Sequence, residues 1–264
     1  MVVLPYTDKN NLSLKYIRGF GLILNIPFLF QLFLVLYNNL DNHFPAPLIL
    51  HNVNWLYNML PGCTMNRKEK EMNARREAIV AAAEELFLDK GFQNVTMEEI
   101  ARKAEFTRPT LYAYFRNKAE LYLVIFTKIS LIRWKMLNDA MATKDTGYEK
   151  LYAFGDTYYE FSIKYPEYLK FMLYWDHYGI PFDTINPDIA NAFIQPRDIA
   201  RLDLVNAFEL GIADKTIRDD IKIEYVMPYL CITTRAVLNE VVLGYAGKEY
   251  YYSFFELFLR GLKK

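Results

Sequence analysis

The chain has 264 residues, 53% of them hydrophobic and 23% charged, so it can bury a core and is not a disordered polymer. Its 31 basic residues balance 31 acidic ones, so any nucleic-acid-binding patch must be local. Glycine and proline, at 11 each, are too few for a turn-rich all-β design. Cys63 and Cys231 lie far apart, and His43, His51 and His177 have no clustered partners. A disulfide framework, a zinc site or another cofactor is therefore not expected, and a reducing cytoplasm fits.

Residues 1–64 differ from the rest. Phe20 to Leu36 is nearly all apolar, interrupted by Asn25, Pro27 and Gln31 and preceded by Lys9, Lys15 and Arg18. Three readings stay open. A secretory signal has this basic start and apolar middle, but no small-residue cleavage site follows. A membrane span needs ~20 apolar residues, and this run is marginal. A misassigned start is the third reading, because Met65-Asn66-Arg67-Lys68-Glu69-Lys70 makes a natural beginning and orderly periodicity sets in only afterwards. The alternative carried forward is a membrane tether, with membrane association of the whole protein.

From Ala74 onward the period is helical. Ile79, Ala82, Ala83, Leu86 and Phe87 make one apolar stripe, which Gly91 ends in the left-handed conformation. Thr96 with Glu99 reads as a capping box for a second helix whose core face is Met97, Ile100, Ala101 and Ala104. Thr107 caps a third helix, with Pro109 in its first turn and Leu111 and Phe115 on its buried side. A long fourth helix runs from about Lys118 to Ala142. Further helices are expected near Tyr148–Lys164, Glu167–Tyr178, Pro187–Leu210, Ile221–Tyr245 and Lys248–Leu262. No alternating strand pattern of useful length competes, so the fold class is all-α.

Thr96 to Lys118 packs two short helices around a tight turn, the geometry of a helix-turn-helix in which the first helix braces the second against the major groove. Arg75 to Leu121 resembles the DNA-binding head of the TetR family of bacterial regulators. The likeness rests on the alanine-rich helix with Leu86-Phe87, then Gly91-Phe92, Val95-Thr96, Ile100-Ala101 and Ala104. It continues through Thr107-Arg108-Pro109-Thr110-Leu111-Tyr112, Tyr114-Phe115, Asn117-Lys118 and Leu121. The resemblance implies an N-terminal three-helix head over 65–121 and a C-terminal helical ligand-binding and dimerisation domain over 122–264. It also implies a DNA-binding transcriptional regulator rather than an enzyme. No Ser-His-Asp or Cys-His arrangement, metal cluster or phosphate loop speaks for catalysis.

The DNA-contacting residues expected are Thr96, Thr107, Arg108, Pro109, Thr110, Tyr112, Tyr114 and Lys118. Arg108 is the candidate base reader, because a guanidinium binds guanine O6 and N7 in bidentate fashion. Pro109 and Thr110 suit a thymine methyl or a phosphate, and the two phenols suit phosphate oxygens. The resemblance makes Lys118 a phosphate clamp at a helix N-terminus. Thr96 offers its hydroxyl and nearby amides to the backbone. Arg67, Lys68, Lys70, Arg75 and Arg76 form a basic arm. Two departures stand out: Glu105 occupies a turn position that usually holds glycine, and Glu98 sits where some relatives place a basic contact.

Tyr148 to Tyr178 is dense in aromatics. An effector pocket there is the family expectation, with Phe126, Trp134, Phe161, Phe171, Trp175 and His177 as lining candidates and a small apolar or aromatic inducer as ligand. The last two helices carry Val226, Leu230, Val237, Leu238, Val241, Tyr251, Phe254, Phe255, Phe258 and Leu262. They are read as a homodimer face, which predicts a palindromic double-stranded operator.

Overall fold

Side chains that bond nearby backbone set the starts of most helices in the computed structural model, which describes residues 66–179 and 182–264. The readings of residues 1–64 lie outside the described residues. The first helix, α1 (Arg67–Lys90), begins behind Asn66. The Asn66 side-chain oxygen accepts from the Glu69 N–H and the Glu69 carboxylate accepts from the Asn66 N–H, both at 2.9 Å. The expected basic arm is therefore helical. Arg67 pairs with Glu71 at 2.9 Å. Arg76 lies 5.2 Å over the Phe115 ring, and burial pulls its pKa down. α1 stops at Gly91, with φ 75° and ψ 154°. The positive φ was anticipated, but the extended ψ puts Gly91 outside the left-handed helical well, in a region almost reserved for glycine.

Next come α2 (Met97–Lys103) and α3 (Arg108–Tyr114). Thr96 and Glu99 form the reciprocal box, with bonds of 3.2 and 2.9 Å. Thr107 accepts from the Thr110 N–H, and Pro109 sits in the first turn. Glu105 between them has φ 58°. Its N–H donates to Arg102 O at 3.2 Å and the Phe106 N–H donates to Ala101 O at 2.9 Å. This is the paired-bond helix ending that normally takes glycine, kept here by a glutamate.

The body follows: α4 (Lys118–Ala142), α5 (Gly147–Lys164), α6 (Pro166–Tyr178), a short 3-10 turn (Phe182–Thr184), α7 (Pro187–Ala213), α8 (Ile223–Val242) and α9 (Lys248–Leu262). Among the described residues there is no strand, only an isolated bridge between Ile217 and Lys263, so the fold is all-α. None of their helices is long and apolar enough to cross a membrane.

α4 packs along α5 and α7, and α5 packs in turn on α7 and α9. The α5–α9 crossing is close because Gly155 has no side chain. A Cβ there would lie 1.9 Å from the Phe255 ring. The Tyr251 hydroxyl donates to the Gly155 carbonyl at 2.7 Å in the same crossing. One apolar core runs from Ile79 in α1 to Leu262 in α9.

The expected dimer stripe divides. Leu230, Leu238, Tyr251, Phe255 and Leu262 are buried within this chain, whereas Val226, Val237, Val241, Phe254 and Phe258 are half-buried. The residues that face outward on these helices are Tyr225, Tyr229 and Ile232 of α8 and Tyr250 and Leu257 of α9. The large stripe residues went inward because α8 and α9 must first cover α5 and each other.

Candidate nucleic-acid interface

The buried side of α3 is fixed by Leu111 and by Phe115 at its C-cap, both 0% exposed. Helical geometry then turns Thr107, Arg108, Pro109 and Tyr112 outward, and all four are exposed. Thr110 is half-buried, and its hydroxyl shares a 2.9 Å hydrogen bond with that of Thr107. Arg108 extends to Glu98 of α2, with a separation of 3.4 Å, and both side chains remain open to solvent. The pair occupies water-screened surface and is worth about 0–1 kcal/mol, so Arg108 is easily released to a stronger acceptor. Arg102 and Arg116 are exposed nearby. Sequence reasoning passed over both, although basic residues flanking a helix-turn-helix are a readable signal.

Thr96 is exposed, but its hydroxyl is engaged in the cap with Glu99. Hydrogen bonds from the Thr96 backbone and from Lys90 hold the Glu99 carboxyl down at about 2. Tyr114 is half-buried against the core. Lys118 is placed differently from the expectation. Its ammonium donates to the carbonyls of Phe92 at 2.6 Å, Gln93 at 3.3 Å and Val95 at 2.8 Å, and lies 4.4 Å over the Phe92 ring. Burial among these groups lowers its pKa. The cation is spent on the loop between α1 and α2, where it satisfies carbonyls that no helix pairs, instead of standing free for a phosphate.

Two buried carboxylates, also unforeseen, join this head to the body. Glu84 of α1 is 7% exposed; it accepts from Lys128 of α4 at 2.6 Å and from the Tyr168 hydroxyl of α6 at 3.0 Å. Desolvation, reinforced by the Glu84 charge, pushes the Tyr168 phenol up to about 12. Glu120 of α4, 1% exposed, accepts from the N–H groups of Arg116 and Asn186, each at 2.8 Å. Between these anchors Tyr122 stacks on Phe171 at 4.2 Å and meets Phe92 edge-on at 5.1 Å.

Residues 79–125, which span the helix-turn-helix and the start of α4, match the family pattern described as bacterial regulatory proteins, tetR family. The head is of the TetR type. The transcriptional activator FasR of Mycolicibacterium smegmatis is 31% identical over 87 residues, 33% of this chain and 40% of FasR. The transcriptional repressor BepR of Brucella suis is 40% identical over 58 residues, 22% of this chain and 28% of BepR. The chain thus spans less than half the length of these curated relatives. In fold the likeness to TetR-family proteins extends further: FadR of Bacillus subtilis, solved in complex with stearoyl-CoA, superposes with a TM-score of 0.56 at 16% identity, over 70% of this chain and 98% of that one.

The body is well filled. Phe161 is fully buried against Tyr158 and Tyr165, and Phe171 lies in the stack at the head–body junction. Their rings found ring partners first, which is what densely spaced aromatics do. Phe126 packs edge-on against Phe193 at 5.4 Å, and Phe193 and Trp134 line a cavity of about 30 Å³ between α4 and α7. Trp175 and His177 lie on α6, but their side chains fall outside the described residues. Among the described residues no cluster of His, Cys, Asp and Glu could hold a metal ion.

Proposed function

We propose that the chain is a sequence-specific, cytoplasmic transcriptional regulator that acts as a homodimer, with a DNA-binding head over 65–121 and an effector-binding and dimerisation body over 122–264. The observation that carries this reading is the outward face of α3. Thr107, Arg108, Pro109 and Tyr112 stand open at one end of a short helix whose opposite side is locked in the core. Arg108 leaves Glu98 to read a guanine in the major groove, Pro109 and Thr110 meet a methyl or phosphate, and Tyr112 reaches the backbone. Thr96 and Thr107 supply hydroxyls and amides at the two helix starts. Lys118 supports the interface through the loop it holds, and its helix N-terminus adds dipole attraction for phosphate.

The outward stripe Tyr225, Tyr229, Ile232, Tyr250 and Leu257 supports a second copy as partner, since an isologous four-helix contact would cover it. The sign of control is read as repression: the free dimer occupies the operator. A small apolar ligand favours a state in which α4 carries the heads out of register, and it acts only through its differential affinity for the two states. The stearoyl-CoA bound in the FadR structure supports a ligand with a long apolar tail.

Selection of bound duplexes from a random pool tests the reading. A palindrome is expected, with half-sites ~34–36 Å apart or at a multiple of that spacing. Arg108→Ala should relax preference at one position per half-site, a loss of about 1–3 kcal/mol of discrimination. A pool that yields no enriched sequence rejects sequence-specific binding.

A further inference from the structure

The cavity between α4 and α7 has a polarity that its size alone does not require. Ser130, 9% exposed, lines it, and its Oγ has no hydrogen-bond partner. Arg133, three residues on, also lines it. One guanidinium nitrogen donates to the Tyr158 hydroxyl at 2.6 Å, and the group lies 5.0 Å over the same ring, but its Nε is buried and unbonded. Among the described residues no carboxylate pairs with Arg133. Arg197 of α7 lines the opposite wall, over the Phe193 ring at 5.0 Å. From α8, Arg235 joins Arg133 in acting on the Cys231 thiol. An acidic residue close to this wall among the described residues is Asp203. It accepts from the Trp134 indole N–H at 3.2 Å, and desolvation pushes its carboxyl pKa up, which weakens it as a counter-charge. Among the described residues no Asp or Glu lines the cavity itself.

Buried donors without acceptors, beside a guanidinium without a carboxylate, form an incomplete site. Water in the space would satisfy the Ser130 hydroxyl but would leave the charge uncompensated. A volume of about 30 Å³ exceeds the ~10–15 Å³ that one water needs, and it matches a small planar head group. The remaining walls, Trp134 and Phe193, are flat and apolar.

Resting on the proposed effector role of the body, we infer that the α4–α7 cavity is the anchor for the carboxylate of an apolar acid, with Arg133 as its charged partner and Ser130 as a hydrogen-bond donor. Arg133 Nε and Ser130 Oγ are separated by less than one helical turn, so one carboxylate can accept from both. The apolar remainder lies on the Trp134 and Phe193 rings, between α4 and α7. Because α4 also carries Lys118 and the head, a wedge between these two helices acts on the element that sets head position.

The experiment compares head groups on the full chain at neutral pH. Decanoate and 1-naphthoate are titrated against decanol and 1-naphthalenemethanol, with Trp fluorescence and operator release as readouts. Each acid should bind at least tenfold more tightly than its alcohol. Arg133→Gln should abolish that preference, bringing each acid to the affinity of its alcohol, while Ser130→Ala should reduce it severalfold. Equal binding of acid and alcohol to the unaltered protein overturns the carboxylate assignment and leaves an apolar effector standing. So does a preference that survives in a folded Arg133→Gln protein. Failure of all four compounds to bind or to release DNA overturns the assignment together with the effector reading beneath it. The comparison within the unaltered protein decides the matter even if Arg133→Gln does not fold.

Discussion

The head and the body of this chain are held together by different kinds of contact. In α1–α3 the organising bonds are local. Asn66 with Glu69, Thr96 with Glu99, and Thr107 with Thr110 each close over three residues, and the Glu105 turn closes over three to five. In α4–α9 the organising contacts join residues far apart in sequence, such as Tyr251 to Gly155, Phe255 over Gly155, and Trp134 to Asp203. Local bonds define short elements sharply, which suits a surface that must present side chains at fixed spacing. Distant ring packing defines a volume, which suits a region whose interior can be exchanged for a ligand.

That contrast can be broken by substitution, and the largest effect is expected in the body. Phe255→Ala removes a fully buried ring that fills the space over Gly155 and stacks on Tyr251 at 5.7 Å. A loss of about 3–5 kcal/mol is expected in urea unfolding. A loss below ~1 kcal/mol would mean that the body does not depend on this packing.

Lys118→Met lies at the junction and should lose about 1–3 kcal/mol, because three loop carbonyls lose their donor. Its DNA binding should keep the salt dependence of the unaltered protein. A slope flatter by about one unit per half-site would restore Lys118 to the role of direct phosphate ligand.

Glu105→Gly addresses the head alone. The φ of 58° strains a glutamate, while glycine brings more chain entropy to lose, so a net gain of about 0.5–1 kcal/mol is expected in thermal unfolding. A destabilised variant would show that Glu105 makes contacts that outweigh its backbone strain.

The smallest effect concerns Glu99. Carbon NMR of its carboxyl should show titration near 2 rather than at the ordinary 4.5. Since the folded value is the lower one, the stabilising contribution is fully present above pH 4.5 and fades as pH falls towards 2. An ordinary titration would mean that the Thr96 cap is frayed in solution.

The same contrast explains what could be read in advance. The α2 and α3 caps and the buried Leu111 and Phe115 were legible because each depends on residues three or four apart. The Asn66, Asn117 and Thr146 caps carry similar signatures and went unread. The helices of the body were legible from their period, but their partners were not. Periodicity says that Glu84 is on a buried face, yet nothing in it says that Lys128 and Tyr168 stand opposite. The partners of Lys118 were not legible for the same reason, since its three carbonyls come from a loop more than twenty residues earlier. The ring partners of Phe161 and Phe171 likewise lie beyond what local spacing shows.

Lys118 is the first residue of α4 and at the same time the knot that gathers the strap between α1 and α2. Any sliding of that long helix must therefore tow the strap with it or surrender all three bonds together. On the proposed two-state reading, a displacement of the body reaches the head only when it is large enough to drag that strap.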